Sequence, residues 1–271
     1  MRYTGIQPQY FPRLHYFARI LNSDAFVVRD DVQFVRKHSY PGDRIDKSYQ
    51  GHTPIKQPSG RFLLTVNTKH EGRKSIAQTR VSYTHDWAGD HRKTIRNSYS
   101  RAPYFSEIYP ELDQLLSMQF DTLSRLNTAS ILWGLLRILG EPPFSDDGVT
   151  FTHVHAVLSQ RHRFRLKNIR MASETPALSE AEGLDANQKI IALCKDIGAD
   201  EEYCGGTALE AYIDQEYYRK NGVRLTVQDW MCREYPQLFM EKTGFVPNLS
   251  IIDLLMNVSV SEASDILFST E

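Results

Sequence analysis

The first 34 residues constrain the fold more than any other part of the chain. Tyr3 to Gln7 enters a proline-punctuated loop, QPQYFP at 7–12, and Leu14, Phe17, Ala18 and Leu21 then recur at the i, i+3, i+4, i+7 spacing of a helix with one apolar face. Ala25-Phe-Val-Val-Arg29 follows as a near-continuous apolar run, the pattern of a strand covered on both faces, and it stops at Asp30-Asp31. Strand, helix and strand within about 30 residues predict a β-α-β unit with a parallel pair. The expected class is α/β: a mostly parallel sheet with a Rossmann-like N-terminal β-α-β unit and a helical middle segment.

Further along, Val35 to Gly60 is polar and carries Pro41-Gly42, Pro54 and Pro58, which predicts a long surface loop. Arg61 to Val66 and Ile76 to Ser82 read as strands that could pair. A helix is expected over Asp86 to Tyr99, and a helical stretch over Tyr104 to Leu139 with an interruption near Phe120-Asp121. Pro142-Pro143 to Gly148 is the best internal break, so the chain is read as one domain over 1–271, with a subdivision near 141–148 as the alternative. Arg161 to Arg170 is a basic segment read as surface, and Ser173 to Gly183 reads as a linker or mobile loop. Asp185-x-x-Gln188, Thr207-x-x-Glu210 and Ser250-x-x-Asp253 have capping-box form or nearly so, opening helices through Ile197, through Lys220 and near the end. Glu202 to Cys204 and Val223 to Val227 are short strands between them.

Charge is distributed unevenly. Residues 1–110 hold 18 Lys+Arg against 9 Asp+Glu, and residues 111–271 hold 14 against 24, around a net charge of −1. One reading is a face that attracts phosphate-bearing substrates or RNA; the other is that the halves neutralise each other internally. Cys194, Cys204 and Cys232 lack disulfide-like spacing, and neither a signal peptide nor a membrane span is legible, so a soluble cytoplasmic protein with no membrane insertion is expected.

In an open parallel sheet, ligands collect beyond the carboxyl ends of the strands. QPQYFP and DDVQF sit at two such ends. On an extended backbone Asp31 and Gln33 share a face while Asp30 takes the other, so Asp31 and Gln33 could address one ligand, or the two aspartates could simply end a strand. His15 and His38 could reach the same mouth, and neither has zinc-ligand spacing; no metal site is expected. Gly205-Gly206-Thr207 joins a strand to a helix, either as an anion cradle or as a tight turn closed by a Thr207/Glu210 box. Cys194 reads as a buried thiol, whereas Cys204 is a potential nucleophile. Trp87 and His91 are i and i+4 and share a helix face, and Lys69, Arg92 and Lys93 are potential phosphate contacts.

Taken in order, these words resemble the WbqC-like family over nearly the whole chain: Gln7-Pro8, Tyr10, Pro12, Tyr16-Phe17, Asp24, Asp30-Asp31-Val-Gln-Phe34, Leu64 to Val66 with Lys69, Trp87, His91, Tyr99 and Ala102 to Phe105. Leu193 to Lys195, Gly198-Ala199, Tyr203, Gly205-Gly206, Tyr212 to Asp214, Tyr235-Pro-Gln237, Phe245 to Ser250, Asp253 to Leu255 and Asn257 continue the resemblance. Arg13 and His15 stand where the family has Trp and Gly, Pro41-Gly42 replaces an Asn-Arg pair, and Val258-Ser259 follows Asn257 in place of a glycine. The resemblance implies work on a polysaccharide pathway, with transfer of an aminoacyl group, such as glycyl, to the amine of an amino sugar or similar small molecule. It implies Asp31 or His38 as base and Gln7 and Gln33 orienting the amine. It further implies Gly206-Thr207 N–H groups or Lys69 meeting the negative charge, with Tyr10, His15, Asp30, His91 and Gly205 also binding substrate. The cofactor is unknown; the co-substrate is an activated acyl donor such as an aminoacyl-tRNA, a thioester or an adenylate. The partners expected are a small-molecule or nucleotide-sugar substrate, tRNA if it is the acyl donor, and further copies of the chain if it oligomerises. The rival readings are a nucleotidyltransferase-like activation of a small substrate and a non-catalytic glycan-pathway binding protein.

Overall fold

The computed structural model describes residues 1–40, 44–145, 148–179 and 183–268. The N-terminal unit forms as its pattern requires: strand β1 (Arg2–Ile6), helix α1 (Leu14–Leu21) and strand β2 (Ala25–Val28), with β1 and β2 parallel and Tyr3 opposite Ala25. Between this unit and the next sheet strand lie β3 (Lys37–Tyr40), β4 (Arg44–Lys47), β5 (His52–Gln57), β6 (Gly60–Thr65), α2 (Trp87–Tyr99), α3 (Phe105–Ser117), α4 (Leu123–Ile138) and α5 (Phe151–Leu158). The remainder runs β7 (Asn168–Met171), α6 (Pro176–Ser179), α7 (Ala186–Asp196), β8 (Glu201–Cys204), α8 (Gly206–Ala211), α9 (Gln215–Lys220), β9 (Arg224–Val227), α10 (Met240–Thr243), α11 (Ile251–Asn257) and α12 (Val260–Leu267). The central sheet has the order β7-β2-β1-β8-β9, and all its pairings are parallel.

Strand alternation sorts side chains into two cores. Phe26 and Val28 face the larger one, with α1, α4, α11 and α12, while Tyr3 and Val27 face the smaller one, with Ile190, Leu193 and Cys194 of α7 and Tyr218 of α9. That is why β2 is apolar throughout and buried at every position.

Four expectations are corrected. Residues 35–60 are not a long loop: β3 pairs with β4, and β5, mostly buried, pairs with the more exposed β6 as a hairpin. Pro54 is tolerated because β5 belongs to a two-stranded sheet, and its carbonyl accepts the Ser250 N–H at 2.8 Å. Ile76 to Ser82 forms no strand and touches its neighbours through single bridges, Thr68 to Val81 and Arg80 to Thr122. The helix expected from Thr207 through Lys220 is two helices: α8 starts at Gly205 without a side-chain cap, and Asp214 caps α9 by accepting from the Glu216 and Tyr217 N–H groups. Ser173 to Gly183 holds a 3-10 turn at Ala172–Glu174 and then α6 in its described part. By contrast α2, α3, α4 and α7 form where expected, α7 with a complete Asp185/Gln188 capping box. Among the described residues no helix is long and apolar enough to cross a membrane.

A polar network sits inside the larger core. Asp253 accepts hydrogen bonds from the Tyr99 and Tyr235 hydroxyls, both at 2.7 Å, and Tyr99 accepts from the Lys56 backbone N–H at 3.0 Å. The buried Lys56 ammonium donates to Gln237 Oε1 at 3.0 Å and to the Gly244 carbonyl at 2.6 Å. Burial raises the Asp253 pKa to about 6, against the tyrosine hydroxyls and Lys56, which lower it.

Candidate functional site

Because the five sheet strands are parallel, the segments after β1, β2, β7, β8 and β9 all leave from one edge. Gly205-Gly206 and Asp30 to Gln33 therefore lie on the same edge, with β1 between their strands. At this edge Gly5 is needed for space: a Cβ there would come within 2.1 Å of the Tyr3 hydroxyl and 3.3 Å of Arg29.

The two aspartates after β2 are both engaged. Asp30 is buried; Oδ1 accepts from the Ser173 N–H at 3.0 Å, and Oδ2 from the Ser124 and Ser173 hydroxyls, each at 2.8 Å. It ties β2 to the turn after β7 and to α4. Asp31 takes both prongs of the Arg29 guanidinium, at 2.8 and 3.0 Å. Burial disfavours the charge on Arg29, and Asp31 more than offsets this, holding Arg29 above the usual arginine range. The shared face expected for Asp31 and Gln33 needs extended backbone, but residues 31–32 form a bend and Gln33 is exposed at its bridge to Ser75.

The loop after β1 is fastened by a residue that the reading as a loop concealed. Gln50 Nε2 donates to Gln7 Oε1 at 2.5 Å, and Gln50 Oε1 accepts from the Val35 N–H at 3.3 Å. Asn127 Nδ2 donates to the carbonyls of Pro8 and Gln50 at 2.9 and 2.7 Å. Gln7 is thereby brought to the segment that follows β2.

On the other side of β1, His15 is half-buried and held by Asn248. Asn248 Oδ1 accepts from the His15 backbone N–H and faces Nδ1, both at 3.0 Å. A backbone N–H must meet an oxygen, so the Asn248 orientation follows, and Nδ1 facing that same oxygen must carry the imidazole proton. Nε2 is then an unprotonated acceptor. Burial lowers the His15 pKa to about 4, with Arg19 and Arg13 adding to the effect against the Asn248 hydrogen bond. Arg19, one turn on, donates from Nε to Gln228 Oε1 at 2.9 Å, and Gln228 Nε2 returns to the His15 carbonyl at 2.9 Å. Gly205 makes room for this guanidinium: a Cβ would lie 2.6 Å from Arg19 Nη2. His15, Arg19, Gln228, Asn248 and Gly205 form one polar unit at the ends of β8 and β9.

Other expected residues lie elsewhere. Tyr10 and His91 are buried, the hydroxyl 2.9 Å from His91 Nδ1, and Trp87 packs on His91 with ring centroids 5.2 Å apart. Their helical spacing marks core, and burial lowers the His91 pKa to about 4. Lys69 lines a basic groove of about 210 Å³ with Phe34, Arg36 and Lys74. Gly206 and Thr207 are exposed at the start of the six-residue α8. His38 lies on β3, and its side chain falls outside the described residues, as does the Pro41-Gly42 departure. Burial, with Glu202 adding, raises the Cys204 pKa to about 11, so it stays a thiol and is a poor nucleophile. A cavity of about 490 Å³ opens at the opposite sheet edge beside Ala25, Phe26 and Asn168, away from these groups. Arg19, Gln50, Gln228 and Asn248 were missed; Arg19 alone had a legible signal, its i+4 spacing from His15.

The chain matches the WbqC-like protein family over residues 7–142 and 154–265. It is 28% identical over 266 residues to an uncharacterized protein, Rv1507c, of Mycobacterium tuberculosis, with 97% of this chain and 95% of that protein covered. No solved structure matches. The order of motifs along the sequence and the match across nearly its full length agree: the chain belongs to the WbqC-like protein family.

Proposed function

We propose that the protein is a transferase of a glycan or natural-product pathway that moves an aminoacyl group, for example glycyl, onto the amine of an amino sugar or similar small molecule. The observation that carries this reading is the geometry at His15, where Asn248 Oδ1 meets both the backbone N–H and Nδ1 and so leaves Nε2 as the acceptor, with the cation of Arg19 nearby. The acceptor amine attacks the activated acyl carbonyl, and a C–N bond forms. The bond from the acyl carbon to the donor's oxygen or sulfur breaks, and the donor leaves with that electron pair. His15 Nε2 takes the proton lost by the amine and passes it to the leaving group. Arg19 offsets the negative charge that develops on the carbonyl oxygen. Gln7, held by Gln50, offers an amide for orienting the acceptor. Burial is the main cause of the depressed His15 pKa, and an anionic substrate beside Arg19 offsets the smaller contribution of that cation, moving the imidazole part of the way toward a more effective basicity. Asp31 is less suited to the role of base, because both its oxygens are occupied by Arg29.

The test is mass spectrometry of a UDP-linked amino sugar incubated with the protein and, in turn, glycyl-tRNA, a glycyl thioester and glycyl adenylate. The expected result is a gain of one glycyl residue with one of these donors. No product with any donor, while the sugar nucleotide still binds, would replace the transferase with a non-catalytic binding protein of the same pathway.

A further inference from the structure

The groove beside the segment after β2 has no part in the chemistry above, and its charge is not balanced by its own walls. Arg36, Lys69 and Lys74 line it. Glu71, its one carboxylate, pairs with Arg80, whose Nε lies 2.8 Å from Oε1 and 3.0 Å from Oε2, and is also stabilised by the nearby charges of Lys69 and Lys74, so one carboxylate faces more than one cation. Among the described residues no ion pair engages Arg36, Lys69 or Lys74. Arg36 is nonetheless positioned, since Nη2 donates to the carbonyl and hydroxyl of Thr68 at 3.3 and 3.2 Å. On the adjoining hairpin Lys37 of β3 stands directly opposite Lys47 of β4, and both are exposed. Arg36, Lys69 and Lys74 are three of the 18 Lys and Arg residues among the first 110.

We propose that this groove binds the diphosphate of a nucleotide-linked ligand, with Arg36, Lys69 and Lys74 contacting phosphate oxygens and Phe34 forming an apolar wall. Its volume of about 210 Å³ suits a discrete diphosphate better than a run of nucleotides. Its position connects it to the sheet edge: Phe34 precedes Val35, whose N–H binds Gln50, which in turn binds Gln7. A diphosphate held here projects its sugar toward the loop after β1. The identity of that sugar as the acceptor rests on the transferase reading; phosphate binding by the groove does not.

Calorimetry at low salt with inorganic pyrophosphate, UDP and uridine, on the full chain and on a Lys69→Ala/Lys74→Ala variant, tests the assignment. Both lysines are exposed, so the variant is expected to keep the melting temperature of the parent. Pyrophosphate and UDP should bind and uridine should not, and the variant should bind both at least about tenfold more weakly. Absence of pyrophosphate binding to the parent, or equal binding to the variant, overturns the proposal. So does tight binding of a short RNA that pyrophosphate fails to displace. If pyrophosphate does not bind but the amino sugar is still acylated, the groove assignment falls and the transferase stands; if pyrophosphate binds and no donor is used, the reverse holds.

Discussion

Replacing Tyr99 with Phe removes a single oxygen from the polar network in the core, and the geometry sets how much that removal costs. The hydroxyl serves two partners at once, donating to Asp253 at 2.7 Å and accepting from the Lys56 N–H at 3.0 Å, in a side chain with no exposed surface. Loss of a hydrogen bond to a buried carboxylate costs about 1.5–3 kcal/mol, and an unsatisfied buried N–H about 1–3 kcal/mol, so about 4 kcal/mol is expected. With an unfolding entropy of about 2.1 cal/mol/K per residue, this lowers the melting temperature by about 7 °C. Tyr235→Phe removes only the donor to the other carboxylate oxygen and should cost about half as much. The penalty also depends on pH. Asp253 has a folded pKa of about 6 against an ordinary value of 3.8, so the native state holds more protons than the unfolded chain between these values. Stability from this group is therefore fully present below about pH 4, falls as pH rises to about 6, and is flat above. Removing a donor from the ionised carboxylate raises its folded pKa further, so Tyr99→Phe should cost more at pH 8 than at pH 5. Urea unfolding at the two pH values measures this. A melting temperature within about 2 °C of the parent, or a penalty that does not change with pH, would refute the reasoning.

Three further outcomes are expected. His15→Gln should lower turnover by about 10²–10⁴ while leaving substrate affinity nearly unchanged, and steady-state kinetics showing a normal rate would remove His15 as base. Arg19→Gln deletes a cation that helps to depress the imidazole, so an NMR titration should show the His15 pKa moving up from about 4; no upward movement counts against the described cluster. Asp31→Asn leaves the buried Arg29 without its counter-charge and should destabilise the fold by about 3 kcal/mol, seen by thermal unfolding. A large fall in turnover at unchanged stability would instead restore Asp31 as the base.

The legible parts of the sequence were those where one periodicity acted alone. Leu14, Phe17, Ala18 and Leu21 share one helix face, Ala25 to Val28 are apolar because both sides of β2 are covered, and both assignments hold. Residues 52–57 were hidden because Pro54 and polar neighbours imitate a loop, whereas in the fold His52, Thr53 and Lys56 find partners or burial inside a hairpin. The site was legible only as an edge of the sheet. Its individual contacts join residues far apart in sequence, such as His15 with Asn248 and Arg19 with Gln228, and no local spacing encodes them. The resemblance words carried more than one kind of information: Tyr10 and His91 mark core packing, while Tyr99, Tyr235, Gln237 and Asp253 meet in one internal network.

The strand order has a consequence for how the chain is made. β1 pairs on one side with β2, some 20 residues away, but on the other with β8, and Thr4 must donate its hydroxyl to the Tyr203 carbonyl 199 positions later. At a synthesis rate of about 5–20 residues per second, the emerging N-terminal strands wait on the order of 10–40 s for their partner. During that interval one side of β1 presents unpaired backbone groups, a template for association with other chains. Folding of this protein is thus a late, non-local event, and its yield should depend more on chaperone protection of the nascent first half than on the stability of the finished sheet.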